Sequence, residues 1–414
     1  MINITVCIYD IGASYTPLAL ALVDKVKKVY YFSTWEKDGF PLRKDDMVGT
    51  GIKGVERLSF PFSKLDVIDL WIFPDVYGWD IQVLLKRLGQ LVWGASQSSW
   101  MELDRFALRE WEMANKMPVA ETEEYIGLDD LMKNMPKEKF IKISNYRGDI
   151  ETFKFYDKQR SEYRAKELEL HLGVLSKEMP MIGESKIEGY EIGADTYTVK
   201  GEFPKTMLWG IEMKDTAYLG KISDDMNLPK QLKWTNAKLE TQLKKEQTNS
   251  FISYEIRTQS PANGYVTDLT MRLPNPPYQA HLAMMDNIAE VMYYGAQGIM
   301  VQPKFNSKYC AIVTIKSDFA EDNIMPIKVS KEVRPYTYIM GLAVRDNEWY
   351  SLTSKCWGGE FGAVVGTGNT QEEAIKNCKK HVEGIQGDSL EIDVDALDKA
   401  SQELRDMRKI GILF

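Results

Sequence analysis

The chain is 414 residues long, 44% apolar, and carries a net charge of −8. That length and apolar share suit roughly two to four domains with proper cores, and the acidic balance argues against a general nucleic-acid binder. No run of 18 apolar residues is present, so no membrane span is expected. The start, MINITVCIYDIG, has neither a basic region nor a cleavage site, so a signal peptide is not expected. The four cysteines, Cys7, Cys310, Cys356 and Cys378, show no paired spacing and read as reduced thiols of a cytoplasmic protein. The three histidines, His171, His281 and His381, are isolated and read as core or surface residues rather than metal ligands or acid–base groups.

Along the chain, ITVCIYDIG reads as a strand, PLALALVDKVKK as a helix, and VYYFSTW, LDVIDLWIFPD and QLVWGAS as further strands. This is the order of an open α/β domain over residues 1–100. The loop after the first strand, Asp10-Ile-Gly-Ala-Ser-Tyr, lacks G-x-G-x-x-G, which disfavours a dinucleotide site. A helix, DRFALREWEMANK, starts at a capping Asp104 and stops near Met117-Pro118. LMKNMPKEKFIKISNYRGDIETFKFYD reads as two strands joined by a polar loop, and PMIGESKIEGYEIGADTYTV as a connection running into another strand.

Phe251 to Pro274 is the most informative stretch. FISYEIRT and GYVTDLTMR are β-rich and flank the turn cluster Gln259-Ser-Pro-Ala-Asn-Gly264, so a hairpin is expected. Alternation along a strand puts Asp268, Thr270 and Arg272 on one face, and pairing across the turn can set Glu255 beside Asp268. Two carboxylates, a hydroxyl and a guanidinium on one patch suit a magnesium–triphosphate, since Mg²⁺ is held by one or two carboxylates plus phosphate oxygens. A solvent-facing polar strand pair is the bland alternative.

Beyond the hairpin, QAHLAMMDNIAEVMYYG reads as one helix of about fifteen residues with methionines as core filler. A last unit has strands AIVTIK, TYIMGLAV and EFGAVVGTG. It then gives the helix TQEEAIKNCKKHVEGI with a capping box of Thr370 and Glu373, and a closing charged helix, DALDKASQELRDMRKI.

Taken together, these segments resemble the ATP-grasp ligases, with a layout most like the phosphoribosylamine–glycine ligases. The resemblance covers essentially the whole chain and implies an α/β and α+β fold. Its parts would be a pre-ATP-grasp α/β domain over 1–100, a two-lobed ATP-binding region over 101–310 with a lid at about 136–182, and a mixed C-terminal domain over 311–414. It also implies residue roles. Lys142 of FIKIS would contact phosphate and adenine, and Arg147 in the turn Asn145-Tyr-Arg-Gly148-Asp149 would supply charge to the lid. Glu184 and Glu191, seven apart with Gly189 between, would read the adenine surroundings and the ribose. Asp268, Thr270 and Glu255 would hold Mg²⁺, and Arg272 and Lys214 would face the transferred phosphoryl group. Tyr15, Tyr77, Trp79 and Trp209 are weaker candidates for lining the substrate site.

Departures from that pattern are informative too. Arg105 follows Asp104 where the family has lysine, and it keeps the charge but not the compact ammonium. Thr270 replaces asparagine. KISDDMNLPKQLKWTNAKLE has no glycine-rich substrate segment, and neither DIGASYTPLA nor FPDVYGWD carries the family's phosphoribosylamine signatures. The resemblance therefore implies an ADP-forming ligase joining a carboxylate to an amine through an acyl phosphate. It would use ATP and Mg²⁺ and a substrate other than phosphoribosylamine. A homodimer is one option for its assembly. Two alternatives stand beside this reading: a non-catalytic nucleotide-binding regulatory or structural protein, and a ligase of nucleotide or DNA-base modification. The trimmed, lysine- and isoleucine-rich lid resembles versions carried by bacteriophages.

Overall fold

The computed structural model describes residues 1–34, 47–134, 138–145, 152–260, 264–352 and 359–414, with Asp322 described in its backbone alone. Arg147 and Cys356 lie outside the described residues.

Strands buried on both faces lose the apolar–polar alternation and become continuous apolar runs, which is the pattern of ITVCIY and VYYF. β1 (Ile2–Tyr9), β2 (Val26–Phe32), β3 (Val55–Arg57), β4 (Leu70–Ile72) and β5 (Val92–Trp93) form an all-parallel sheet in the order β3-β2-β1-β4-β5. Helices α1 (Thr16–Leu22) and α2 (Trp79–Arg87) accompany it. The first helix is shorter than its apolar run predicts. Val26 pairs with Ile2 and opens β2 instead, and Lys28 meets Glu56 of β3 at 2.6 Å.

A short helix α3 (Trp100–Leu103) leads into α4 (Arg105–Ala114), whose cap is Asp104, accepting the Ala107 N–H at 3.0 Å. A small unit follows: β6 (Thr122–Ile126), α5 (Gly127–Asn134), β7 (Lys139–Ile143), β8 (Thr152–Phe155), α6 (Lys158–Leu172) and β9 (Pro180–Ser185). Its antiparallel sheet runs β6-β9-β7-β8 over a core of its own that includes Tyr125, Leu131, Ile141 and Leu168. The sheet draws in β6, ahead of the 136–182 stretch expected to form the lid.

The remaining elements are β10 (Tyr190–Thr198), β11 (Thr206–Met213), β12 (Ala217–Asp224), α7 (Lys230–Glu246), β13 (Ser250–Thr258), β14 (Tyr265–Thr270), α8 (Tyr278–Met284), α9 (Ile288–Ala296), β15 (Tyr309–Lys316), α10 (Asp318–Asp322), β16 (Met325–Val329), β17 (Thr337–Ile339), β18 (Leu342–Arg345), β19 (Glu348–Ser351), β20 (Glu360–Gly368), α11 (Gln371–Val382), β21 (Ile385–Gln386) and α12 (Ala396–Met407). Eight of the strands make one antiparallel sheet, β14-β13-β10-β11-β12-β15-β20-β17, and four more make a small sheet, β18-β19-β16-β21. The large sheet thus joins strands from both sides of residue 310. One of its faces packs on α7 and α12 through residues such as Tyr254, Trp209 and Leu404. The other packs on the N-terminal domain and α8–α9 through residues such as Phe251, Tyr197 and Met292.

Two expected elements are divided. QAHLAMMDNIAEVMYYG is two helices, because the Asn287 side chain leaves the helical path to bind the neighbouring chain: it accepts the Lys304 N–H at 2.7 Å and donates to the Gln302 carbonyl at 3.0 Å. TYIMGLAV is two strands, parted at Gly341, whose φ of 59° lies in the left-handed region and whose N–H donates to the Ala13 carbonyl at 3.0 Å.

His281 on α8 is 1% exposed, and among the described residues neither ring nitrogen has a hydrogen-bond partner. Its ring lies 5.8 Å from that of Phe251, and burial pushes its pKa from 6.5 down to about 4. Between those values the unfolded chain takes a proton that the folded chain refuses, so stability falls as pH drops through the window, by about 1.4 kcal/mol per pH unit from this group. We therefore expect His281→Phe to gain on the wild type as pH is lowered from 6.5 to 4. Urea unfolding at several pH values measures the difference, and a constant gap between the two proteins would refute it.

Candidate functional site

The hairpin register is the starting point. β13 and β14 pair Glu255 with Asp268 and Ser253 with Thr270, with a bulge next to Glu255. Directly paired residues share a face, so both carboxylates and Thr270 look the same way. On the next strand Glu255 faces Gly193, and Gly193 faces Gly210 of β11. Those glycines keep the floor beside Glu255 low. Two residues along β11 from Gly210, on the same face, stands Glu212, and Lys214 follows at the β11–β12 turn.

Carboxylates are crowded here. Glu212 and Glu255 share a hydrogen bond, and burial pushes Glu212 up to about 7 against the pull of Lys214. Burial likewise holds Glu255 well above the ordinary carboxylate range, with Glu212, Glu191 and Asp268 adding to the rise. Lys214 has a side chain 71% exposed and an Nζ 3.9 Å from Glu212, and the charges of Glu255 and Glu212 raise its pKa. A surplus of negative charge on one face is what a divalent cation would relieve. Among the described residues no three His, Cys, Asp or Glu side chains form a ready-made metal cage. Two paired carboxylates still fit Mg²⁺, which keeps waters and shares its shell with phosphate oxygens.

Cations approach from two other elements. α4 presents Arg105, Arg109 and Glu112, at spacings of four and three that place them on one helix face. Arg105 is 2% exposed and forms an ion pair with Asp268. Arg109 binds Glu112 at 2.8 Å, Glu184 at 2.5 Å and the Thr267 carbonyl in the hairpin bulge at 3.3 Å. From β7, Lys142 reaches Glu184 at 3.0 Å and donates to the same Thr267 carbonyl. Burial alone would raise the Glu184 pKa, but the Lys142 and Arg109 charges outweigh it and bring it down to about 2. Glu112 goes the other way, pushed up to about 7 by burial despite Arg109. Burial lowers the Lys142 pKa, with Glu184 opposing.

Glu191, at the start of β10, accepts from Arg257 at 2.7 Å and from the Thr267 hydroxyl at 3.2 Å. Glu184 and Glu191 thus bracket the connection between the small sheet and the large one. Arg272 has different partners from those its spacing suggests. β14 stops at Thr270, so the alternation does not carry on to Arg272. It donates to Glu102 of α3 at 2.9 Å and to the Tyr15 hydroxyl at 3.3 Å, and the Glu102 carboxylate also holds the Met271 N–H at 2.6 Å.

Tyr15 lies at the C-terminal end of β1, where the parallel sheet changes winding direction between β1 and β4; ligands of such sheets bind at this kind of crevice. Asp10 and Asp75 flank it. Burial pushes Asp10 up to about 7, against hydrogen bonds from the Tyr31 hydroxyl and the Tyr15 N–H, both 2.7 Å. The hairpin exit closes on the crevice, with the Leu273 N–H on the Pro74 carbonyl at 2.9 Å. Of the four aromatics proposed as lining, Trp209 is elsewhere. It pairs with Ala194 on the opposite face of the large sheet, fully buried and donating to Ser223 at 2.9 Å.

Comparison with solved structures identifies the architecture. The chain superposes on phosphoribosylamine–glycine ligase of Thermotoga maritima with a TM-score of 0.71 at 16% identity, over 94% of this chain and 98% of that one. It superposes on the biotin carboxylase domain of Hydrogenobacter thermophilus 2-oxoglutarate carboxylase, solved with MgADP and bicarbonate, with a TM-score of 0.69 at 11% identity over 99% of each chain. It has the ATP-grasp fold. L-amino acid ligase of Bacillus licheniformis is a further similar structure, with a TM-score of 0.60 at 13% identity over 93% and 97% of the two chains. No protein-family model and no curated protein matches the sequence.

Within this ATP-grasp fold, Arg105, Lys142, Glu184, Glu191, Lys214, Glu255, Asp268 and Thr270 line one region between the small sheet, α4 and the hairpin, and Arg272 sits beside it on the N-terminal domain. Arg109, Glu112, Glu102 and Glu212 belong to the same region and are not singled out by the sequence reading. Helical spacing from Arg105 and strand alternation from Lys214 are the signals that mark three of them. Removing Arg109 leaves Glu112 and Glu184 buried against each other. Arg109→Leu should cost about 3–5 kcal/mol in urea unfolding, and adding Glu112→Leu should restore much of it. Additive losses in the double variant would show that the pair is not coupled.

Proposed function

We propose that this protein is an ATP-dependent carboxylate–amine ligase that works through an acyl phosphate and acts on a substrate other than phosphoribosylamine. The observation that carries the reading is the pairing of Glu255 with Asp268 on a hairpin faced by Arg105 and Lys142, in a chain with the ATP-grasp fold. Glu255, Asp268 and Thr270 would hold Mg²⁺, which neutralises phosphate charge when bound.

In the first step a substrate carboxylate oxygen attacks the γ-phosphorus of ATP. The bond from that phosphorus to the β,γ-bridging oxygen breaks, and ADP leaves with its electron pair. An amine then attacks the acyl carbon, phosphate departs with the carbon–oxygen electrons, and the amine gives up a proton. Phosphoryl transfer of this kind needs alignment and charge compensation more than covalent help, which suits a site whose residues named above include no nucleophilic serine, cysteine or histidine. Lys142, Arg105 and Lys214 would compensate the phosphoryl oxygens, as would Arg147. Glu184 would keep Lys142 charged and aimed, because its own carboxylate stays ionised. Glu191 would take the ribose hydroxyls. The crevice at Asp10, Asp75 and Tyr15, with Arg272 at its edge, would receive the acid and the amine. The small sheet would close over the site and keep water from the acyl phosphate.

Tightened conditions test this. Mg²⁺–ATP at about a hundred times its Kd should stabilise the fold by about 2.7 kcal/mol, read as a rise in melting temperature. Asp268→Asn and Glu255→Gln should shrink the rise while leaving the fold intact by circular dichroism. ADP release should then appear with some members of an acid and amine panel, with phosphate formed in equal amount. Binding without release across the panel would favour a nucleotide-binding protein that has lost catalysis. No binding by calorimetry would sink both.

The pH dependence of binding follows from the crowded pair. Burial raises Glu255 and brings Glu212 up to about 7, and a bound cation favours their ionised forms, so Mg²⁺–ATP affinity should rise with pH through about 7. Glu212→Gln should flatten that rise, measured by isothermal titration in buffers of different ionisation enthalpy.

A further inference from the structure

A cavity of about 670 Å³ lies away from the hairpin, between the C-terminal half of α1, the loop before β3 and the β17–β19 segment. That volume is in the range of small-molecule sites. Its floor is apolar: Leu20 and Ala21 from α1, Leu342 from β18, and Trp349 from β19, which is only 7% exposed. Its rim is basic. Lys25 lies in the turn between α1 and β2, Lys53 projects from the loop before β3, and Arg334 lies with its guanidinium 5.3 Å from the centre of the Trp349 ring. Arg334 is fixed there by its own bonds, to the Val329 carbonyl at 3.3 Å and the Asn347 carbonyl at 3.5 Å. Lys25 is held by the Asp286 carbonyl at 3.1 Å. Among the described lining residues Asp24 is the acidic group, set against the cations Lys25, Lys53 and Arg334. In a chain of net charge −8, that surplus among the described lining residues runs against the whole.

We propose that this cavity is a second small-molecule site, for an organic anion with a flat apolar body. The body would lie over Leu20, Ala21 and Leu342 against the edge of Trp349, where apolar area is removed from water. The anionic group would face Lys53 and Arg334, and a guanidinium already stacked on an aromatic ring is oriented to donate to the oxygens of a carboxylate, sulfonate or phosphate. The site is independent of the nucleotide reading, since it shares no residue with the hairpin region.

The test uses the full chain and two probes of one shape, 8-anilinonaphthalene-1-sulfonate and the uncharged N-phenyl-1-naphthylamine. The sulfonate should bind at one site, and about tenfold more tightly than the neutral probe. Lys53→Glu should weaken the sulfonate about tenfold and leave the neutral probe unchanged, a charge effect that lost folding would not imitate. Ala21→Trp should fill the cavity and abolish both. Excess Mg²⁺–ATP should displace neither. Sulfonate binding that survives both substitutions, or that Mg²⁺–ATP displaces, would overturn the proposal. So would a dimer in sedimentation equilibrium that Ala21→Trp splits, with no probe bound to the wild type, because a second copy would then be what covers this face.

Discussion

The Glu184 carboxylate is the point on which the site depends. Arg109 from α4 and Lys142 from β7 converge on it, and both cations also reach the Thr267 carbonyl in the hairpin bulge. Three elements far apart in sequence are tied there by one buried anion. Each charge is affordable only because the others are present, since an unpaired ion in such a place would be several kcal/mol less stable. The bulge matters as much as the charges. It frees a main-chain carbonyl from the ladder and aims it at the cations, while the residue after it, Asp268, stays in register with Glu255.

The same logic explains why Glu255 of the hairpin and Glu212 of β11 are crowded electrostatically while Glu184 is not. Glu184 has two cations at hydrogen-bond distance. Glu212 and Glu255 have one shared, largely exposed lysine, and burial raises both above the ordinary carboxylate range. The fold therefore sets a carboxylate held low, at about 2, beside a pair that burial raises. Arg105 mediates between the two groups, because its partner Asp268 shares the face of the raised pair while its helix neighbour Arg109 binds Glu184.

Much of this was legible in the residues, for reasons that differ by element. The hairpin announced itself because β-rich runs flank a turn cluster and period-two alternation fixes which side chains share a face. The Glu255–Asp268 pairing follows from that. α4 was legible from its cap. Alternation does not give where β14 stops, so it groups Arg272 with Asp268, whereas Glu102 and Tyr15 take it. Nor could it give the faces of the large sheet: Trp209 looks like a lining residue until the register with Ala194 puts it on the other side. Asn287 and Gly341 divide elements through contacts with distant chain, which no local pattern reports. Arg109 and Glu112 were missed because buried ions look like ordinary surface charges on a helix until the partner on β9 is known.

The large sheet has a consequence for how the chain is made. Its strand order puts β12 next to β15 and β15 next to β20, so synthesis must reach residue 368 before the ladder is complete. Until β15 has emerged the nascent protein carries β12 as an open edge, and from then until β20 it carries β15, each a template for pairing with another extended segment. α1 waits as well, since Thr16 is bonded to the Ile339 carbonyl and the Leu342 N–H. The first helix off the ribosome is among the last to find its partners, which arrive only with residues 339–342.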